Sequence, residues 1–132
     1  MTKLLTLDLN SGRLVTLPEG IFDHLTACTF LDLYCNRLTS LPNGVFDKLA
    51  AVEVLELATN ELSAMPPFAF AHNPSLTFID LHNNGLTELT FVSNGTSHSM
   101  FAGQEEYVER IDLHNNELTS LPPGKVNHNA YA

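Results

Sequence analysis

The sequence predicts an α/β-type solenoid of about five turns, each adding one short strand to a parallel sheet. Three observations predict it. A pattern that begins at Leu4 restarts at Cys28, Val52 and Leu76, each 24 residues on, and again at Val108, 32 residues on. Recurrence at this period marks stacked units that are each too small to bury their own apolar face. Within every turn the fourth and sixth positions are aliphatic, and in four of the five turns the ninth is Asn.

The aliphatic pairs define the strands. They are Leu7 and Leu9, Leu31 and Leu33, Leu55 and Leu57, Ile79 and Leu81, and Ile111 and Leu113. Alternation with period two places each pair on one buried face of a strand. Asn36, Asn60, Asn84 and Asn116 stand where the strand turns inward. An amide there can satisfy backbone groups of its own turn and the next, so the four are expected to form a buried hydrogen-bonded ladder, with Gly12 as a weak first rung.

Leu14 and Leu17, Leu38 and Leu41, Leu62 and Met65, Leu86 and Leu89, and Leu118 and Leu121 carry the core onward. Pro18, Pro42, Pro66 and Pro122 follow, with Gly20, Gly44 and Gly124 two residues later. Pro and Gly at this spacing break a regular helix and give a tight, irregular return path. Phe22, Phe46 and Phe70 share the nineteenth position and should stack as a spine beneath it, with Val126 in the last turn and Phe101 standing in for the fourth. A short helical turn is expected at Pro67 to Ala71.

The fourth turn holds eight extra residues between Thr90 and Tyr107. Each turn of a solenoid touches only its neighbours, so an insertion on the return side leaves the strands in place. Ser93 to Ser97 reads as an exposed loop and Met100 to Val108 as a short helix. Asn94-Gly95-Thr96 is a glycosylation sequon.

The repeats fall at 4–27, 28–51, 52–75, 76–107 and 108–131, within a single domain over 1–132. At 44% hydrophobic residues and with no long apolar run, the chain has material for a core and no membrane span. Met1-Thr2-Lys3 leads straight into the pattern, leaving no room for a secretory signal. A cytoplasmic location is expected if Met1 is the native start, an extracellular one if the chain is trimmed. Fifteen acidic against six basic residues leave a formal charge of −9, which disfavours nucleic acid and favours basic partners, or serves solubility alone. Cys28 and Cys35 lie on one extended segment with Cα atoms roughly 20 Å apart, too far to bridge.

The recurring Leu-x-x-Leu-x-Leu-x-x-Asn-x-Leu-x-x-Leu-Pro-x-Gly-x-Phe-x-x-Leu resembles the leucine-rich repeat in its 24-residue extracellular-type form, over residues 4–126. The second turn, from Asn36 to Leu49, resembles repeats of the variable lymphocyte receptors of jawless vertebrates, and similar repeats occur in Toll-like receptors. The resemblance implies a horseshoe with a concave parallel sheet, an irregular or short-helical convex side, and a protein or glycan ligand on the concave face. Those receptors cap both ends with disulfide-bonded modules that this sequence lacks, so it is expected to be a fragment, a chain capped by its own terminal residues, or one whose uncapped ends pair with another copy.

Residues alternating with the buried ones form the candidate binding face. The fifth position is acidic in every turn: Asp8, Asp32, Glu56, Asp80 and Asp112. Like charges about 4.8 Å apart on adjacent strands repel by roughly 1 kcal/mol in water. Such a column invites a cation, a basic partner or raised carboxyl pKa values, unless the acids simply splay into solvent. The third position is Thr6, Phe30, Val54, Phe78 and Arg110, and the seventh Asn10, Tyr34, Ala58, His82 and His114. The aromatic and branched members suit either recognition or lateral stacking within the sheet.

His82 and His114 sit in near-identical contexts beside Asp80 and Asp112, a set able to hold zinc. Copying within a repeat produces the same pairing without an ion, and no metal or cofactor is assigned. No residues orient a nucleophile and base, so no enzyme is expected. The ligand-binding set is therefore Phe30, Asp32, Tyr34, Val54, Glu56, Phe78, Asp80, His82, Arg110, Asp112 and His114, with Asn94 as a glycosylation site. The expected function is a receptor-type recognition module. An intracellular scaffold or secreted microbial effector is the alternative, and a self-assembling structural protein a third.

Overall fold

Leu7, Leu31, Leu55, Ile79 and Ile111 lie side by side, one per strand, in a five-stranded sheet whose neighbours all pair in parallel. The strands are β1 (Thr6–Asp8), β2 (Phe30–Asp32), β3 (Val54–Glu56), β4 (Phe78–Asp80) and β7 (Arg110–Asp112). A computed structural model describes residues 3–102 and 108–120. The predicted alternation is thus the observed register. Leu31, Leu55 and Ile79 are fully buried, and so are Leu33, Leu57 and Leu81 two residues on.

Each strand stops after three residues because the backbone turns over at the eighth position. Ser11, Cys35, Thr59, Asn83 and Asn115 all have φ between 52° and 56° there, in the left-handed region. The next residue then points inward. Asn60 donates from Nδ2 to the carbonyls of Leu33 and Leu57 at 3.0 and 3.1 Å, and its Oδ1 accepts the Leu38 amide at 3.1 Å. Asn36, Asn84 and Asn116 repeat the pattern, linking each turn to the one before it. At Gly12 an added Cβ would lie 2.5 Å from Asn36 Oδ1. Glycine therefore leaves room for the next rung as well as supplying none itself.

On the return side Gly20 and Gly44 each take φ of 71° and hold a turn closed from Pro18 and Pro42. Phe68 occupies the same position in the third turn with φ of 54°, a strained conformation for a bulky residue. Its ring meets Phe91 edge-on at 4.5 Å. Beneath the return path Phe22, Phe46, Phe70 and Phe101 stack with centroids 6.5, 6.2 and 5.7 Å apart. Phe101 does take the fourth place in the spine. Val126, Leu121, Pro122 and Gly124 lie outside the described residues.

The structure departs from the sequence reading in three segments. No helix occurs among the described residues; Pro67 to Ala71 is a turn, and the described part of Met100 to Val108 is a turn followed, at Val108, by irregular chain. Ser93 to Ser97 is no loop but the tip of an antiparallel hairpin, β5 (Thr90–Ser93) against β6 (Thr96–Ser99). Asn94 and Gly95, with φ of 51° and 74°, make a two-residue connection whose twist suits a hairpin. Met100 N then bonds the Leu89 carbonyl at 2.8 Å, returning the chain to the solenoid where the insertion left it.

Candidate functional site

The strand register sets three columns across the open face of the sheet. In the first, Phe30 pairs with Val54, Val54 with Phe78 and Phe78 with Arg110. All but Arg110 are half-buried, and the Arg110 guanidinium covers the Phe78 ring at 5.3 Å from its centroid. Stacking along the sheet therefore takes up much of this column, as the β-branched and aromatic residues invited.

The acid column has a structural task that the sequence reading did not assign. Asp8, Asp32, Asp80 and Asp112 each accept, at Oδ1, the backbone amide two residues on, at 3.0, 2.9, 3.1 and 3.2 Å. These bonds fix the chain as it leaves the strand. Asp80 and Asp112 are buried rather than splayed into solvent, whereas Asp32 is half-buried and Asp8 exposed. Glu56 is one methylene longer and, among the described residues, makes no such bond to Ala58. Burial first, then the charge of Asp80 and a hydrogen bond with it, push its carboxyl from 4.5 up to about 7. Asp112 moves the other way. Burial would raise it, but hydrogen bonds from the His114 ring and backbone outweigh that and hold it below its ordinary value.

The seventh position mixes accessible and buried groups. Tyr34 is 40% exposed, while Ala58 beside it in the column is fully buried. His82 and His114 stack ring on ring, centroids 4.4 Å apart and planes 7° from parallel. Each Nδ1 meets Oδ1 of the aspartate two residues before it at 2.5 Å. Among the described residues neither imidazole bonds a hydroxyl or thiol. Cys28 is buried with its thiol toward the Phe30 carbonyl, and Cys35 is half-buried.

The predicted residues Phe30, Asp32, Tyr34, Val54, Glu56, Phe78, Asp80, His82, Arg110, Asp112 and His114 thus share one face. Asn94 stands apart from them, exposed at the tip of the β5–β6 hairpin. Among the described residues no helix is long and apolar enough to cross a membrane.

A family profile described as "Leucine rich repeat" matches residues 29–86, the second and third turns and the start of the fourth. The strands, asparagine ladder and phenylalanine spine run through and beyond that stretch. Residues 29–86 are leucine-rich repeats, and the described residues have the leucine-rich-repeat fold. Among solved structures it is similar to the leucine-rich repeat domain of APL1B, with TM-score 0.75, 26% identity and 89% of this chain covered. It is also similar to a leucine-rich-repeat protein of Leptospira interrogans, with TM-score 0.70, 29% identity and again 89% covered. The chain spans 33% of the first of those chains and 27% of the second. No curated protein matches it. The leucine-rich repeat accounts for the framework residues and leaves the outward ones free to vary in use.

Proposed function

We propose that the leucine-rich repeats form a receptor-type recognition module that binds a protein partner along the concave face of the sheet. Tyr34 is its aromatic anchor, and the acid column complements basic side chains of the partner. The observation that carries this reading is Tyr34 itself, an aromatic 40% exposed on a rigid sheet and flanked by buried framework. Large amphipathic rings in such settings supply most of the binding energy of an interface, while neighbouring charges set orientation and rate. Asp32, beside Tyr34, and Glu56 on the next strand are half-buried, open to a lysine or arginine from outside. Use by a scaffold or an effector would draw on the same surface.

Selection of peptides from a displayed library tests this. Ligands enriched on the wild-type chain should carry Lys or Arg beside an apolar residue. Their affinity for Tyr34→Ala should fall at least about tenfold, or 1.4 kcal/mol, with the melting temperature nearly unchanged. Equal binding to both proteins would remove Tyr34 from the site.

A second reading has its own observation. Leu4, Leu5, Val15 and Ile21 in the first turn are 47%, 59%, 49% and 49% exposed, beside the edge strand β1. Apolar groups on a sheet edge favour pairing with another copy. Sedimentation over a hundredfold concentration range should then show dimers, and monomer throughout would exclude it.

A further inference from the structure

We infer that Asn94 is the acceptor of an N-linked oligosaccharide when the chain passes through a secretory compartment. This stands apart from the partner-binding reading, because it uses a hairpin outside the repeat and none of the residues of the concave face. The sequence offered only the three letters Asn94-Gly95-Thr96; the geometry adds three things.

The first is availability. Asn94, Gly95 and Thr96 are all exposed, and among the described residues neither the Asn94 amide nor the Thr96 hydroxyl makes a side-chain hydrogen bond. Those are the two groups by which a sequon is recognised and modified. Nothing lies within 4 Å of where a Cβ on Gly95 would stand, so the middle of the sequon is open from outside. A two-residue hairpin turn accounts for Asn94 and Gly95. It does not call for a hydroxyl at Thr96, which pairs with Ser93 in the ladder and leaves that hydroxyl free.

The second is a contrast within the chain. Asn73-Pro74-Ser75 has an asparagine and a hydroxyl residue at the same spacing, but its proline bars it as an acceptor. Asn73 is also 1% exposed, and its Nδ2 donates to the Phe46 and Leu49 carbonyls at 2.8 and 3.1 Å. That amide holds neighbouring turns together. The amide of Asn94 holds nothing and faces solvent.

The third is placement. The hairpin leaves the fourth turn after Leu89, beyond the strand and the ladder, and is pinned at its base where Phe91 meets Phe68 at 4.5 Å and His98 at 5.4 Å. A bulky, solubilising group at its tip therefore stands clear of the core and of the concave face. The chemistry is a group transfer from a lipid-linked oligosaccharide. Asn94 Nδ2 bonds the anomeric carbon of the first sugar and the bond from that carbon to the donor's pyrophosphate oxygen breaks. The lipid pyrophosphate leaves with the electron pair, and the amide gives up one proton.

Passage of the full chain through a eukaryotic secretory pathway, behind a cleavable signal peptide, tests the inference. Intact mass of the recovered chain should show one N-glycan, and peptide mapping after trimming to the core sugar should place it on Asn94. Occupancy should be lost in Asn94→Gln and in Thr96→Val. It should persist in Thr96→Ser, which supplies the same hydroxyl. Thr96→Val keeps a branched strand-forming residue, so its melting temperature should match that of the unglycosylated wild type and misfolding would not explain its loss of glycan. An endoglycosidase should also trim the glycan from the native protein without denaturant. A recovered chain that carries no glycan, occupancy that survives in Thr96→Val, or a glycan trimmed only after denaturation would each overturn the site.

Discussion

The ring of Phe101 lies 5.7 Å from that of Phe70 and within 2° of parallel, although 101 − 70 = 31 residues separate them. The earlier members of the spine are 24 apart. Seven of the eight inserted residues are thus spent before Phe101, where the spine resumes, and the eighth falls between Phe101 and Val108. Phe101 is 1% exposed, so Phe101→Ala should destabilise the fold by about 3–5 kcal/mol. Phe68→Ala, at 42% exposure and in a strained backbone, should cost under about 1 kcal/mol. Urea denaturation of the two variants compares them directly; equal losses would mean that the spine ends at Phe70.

Asn60, the central rung of the ladder's first three, bonds Leu33, Leu57, Ala58 and Leu38. Asn60→Ala leaves the buried Leu38 amide without its partner, at about 1–3 kcal/mol where no water enters, while the Leu33, Leu57 and Ala58 carbonyls keep donors in Asn36, Asn84 and the Cys35 amide. A loss of about 1–3 kcal/mol is expected. Hydrogen exchange should report it too, with the Leu38 amide losing protection first. A loss below about 1 kcal/mol would show that the ladder is decorative.

The ladder and the spine were legible in the sequence because each recurs once per turn at a position that only one packing satisfies. The hairpin was not, since it lies outside the period. Its signal was nonetheless present in Asn94-Gly95 between Thr90-Phe91-Val92 and Thr96, a two-residue turn between strand-forming residues. The role of the acid column depended on a feature that residue types do not display. Asp32 accepts the Tyr34 amide because the chain turns over at Cys35, and a pattern of letters does not carry φ. For the same reason Asp80 and Asp112 read as outward charges and are buried. The residues of the candidate face share one side of the sheet, but their division into structural and available groups follows only from the fold. Phe78, covered by Arg110, is the poorer probe of binding and Tyr34 the better one.

Thr59 is β-branched and holds φ of 55°, whereas Asn83 and Asn115 fill the same position in the next two turns. Asparagine tolerates the left-handed region and threonine resists it. Asn115 already donates to Asn83 Oδ1 at 2.8 Å, and Asn83 reaches Thr59 Oγ1 at 3.5 Å. Thr59→Asn should relieve the strain and extend this outer row, stabilising by about 1 kcal/mol. Thr59→Val, equally branched but without an acceptor, should destabilise. If thermal unfolding midpoints place Asn below Thr, strain at this position is not what limits the turn.

Glu56 gives the fold a pH dependence whose sign can be worked out. Its carboxyl stands at about 7 in the folded chain against 4.5 when free, so the folded state holds the proton more tightly. The stability it contributes is complete below pH 4.5 and is lost as pH rises through 7. Asp112, held low by His114, acts oppositely, contributing above its ordinary range and losing that contribution as pH falls. Glu56→Gln keeps the shape and removes the titration. At pH 8 the variant should be more stable than the wild type by about 1 kcal/mol once solvent screening is allowed for, and near pH 4 the two should coincide. Unfolding midpoints measured at both pH values decide it. A gain of the same size at pH 4 and pH 8 would trace the effect to packing and remove Glu56 as the source of the slope.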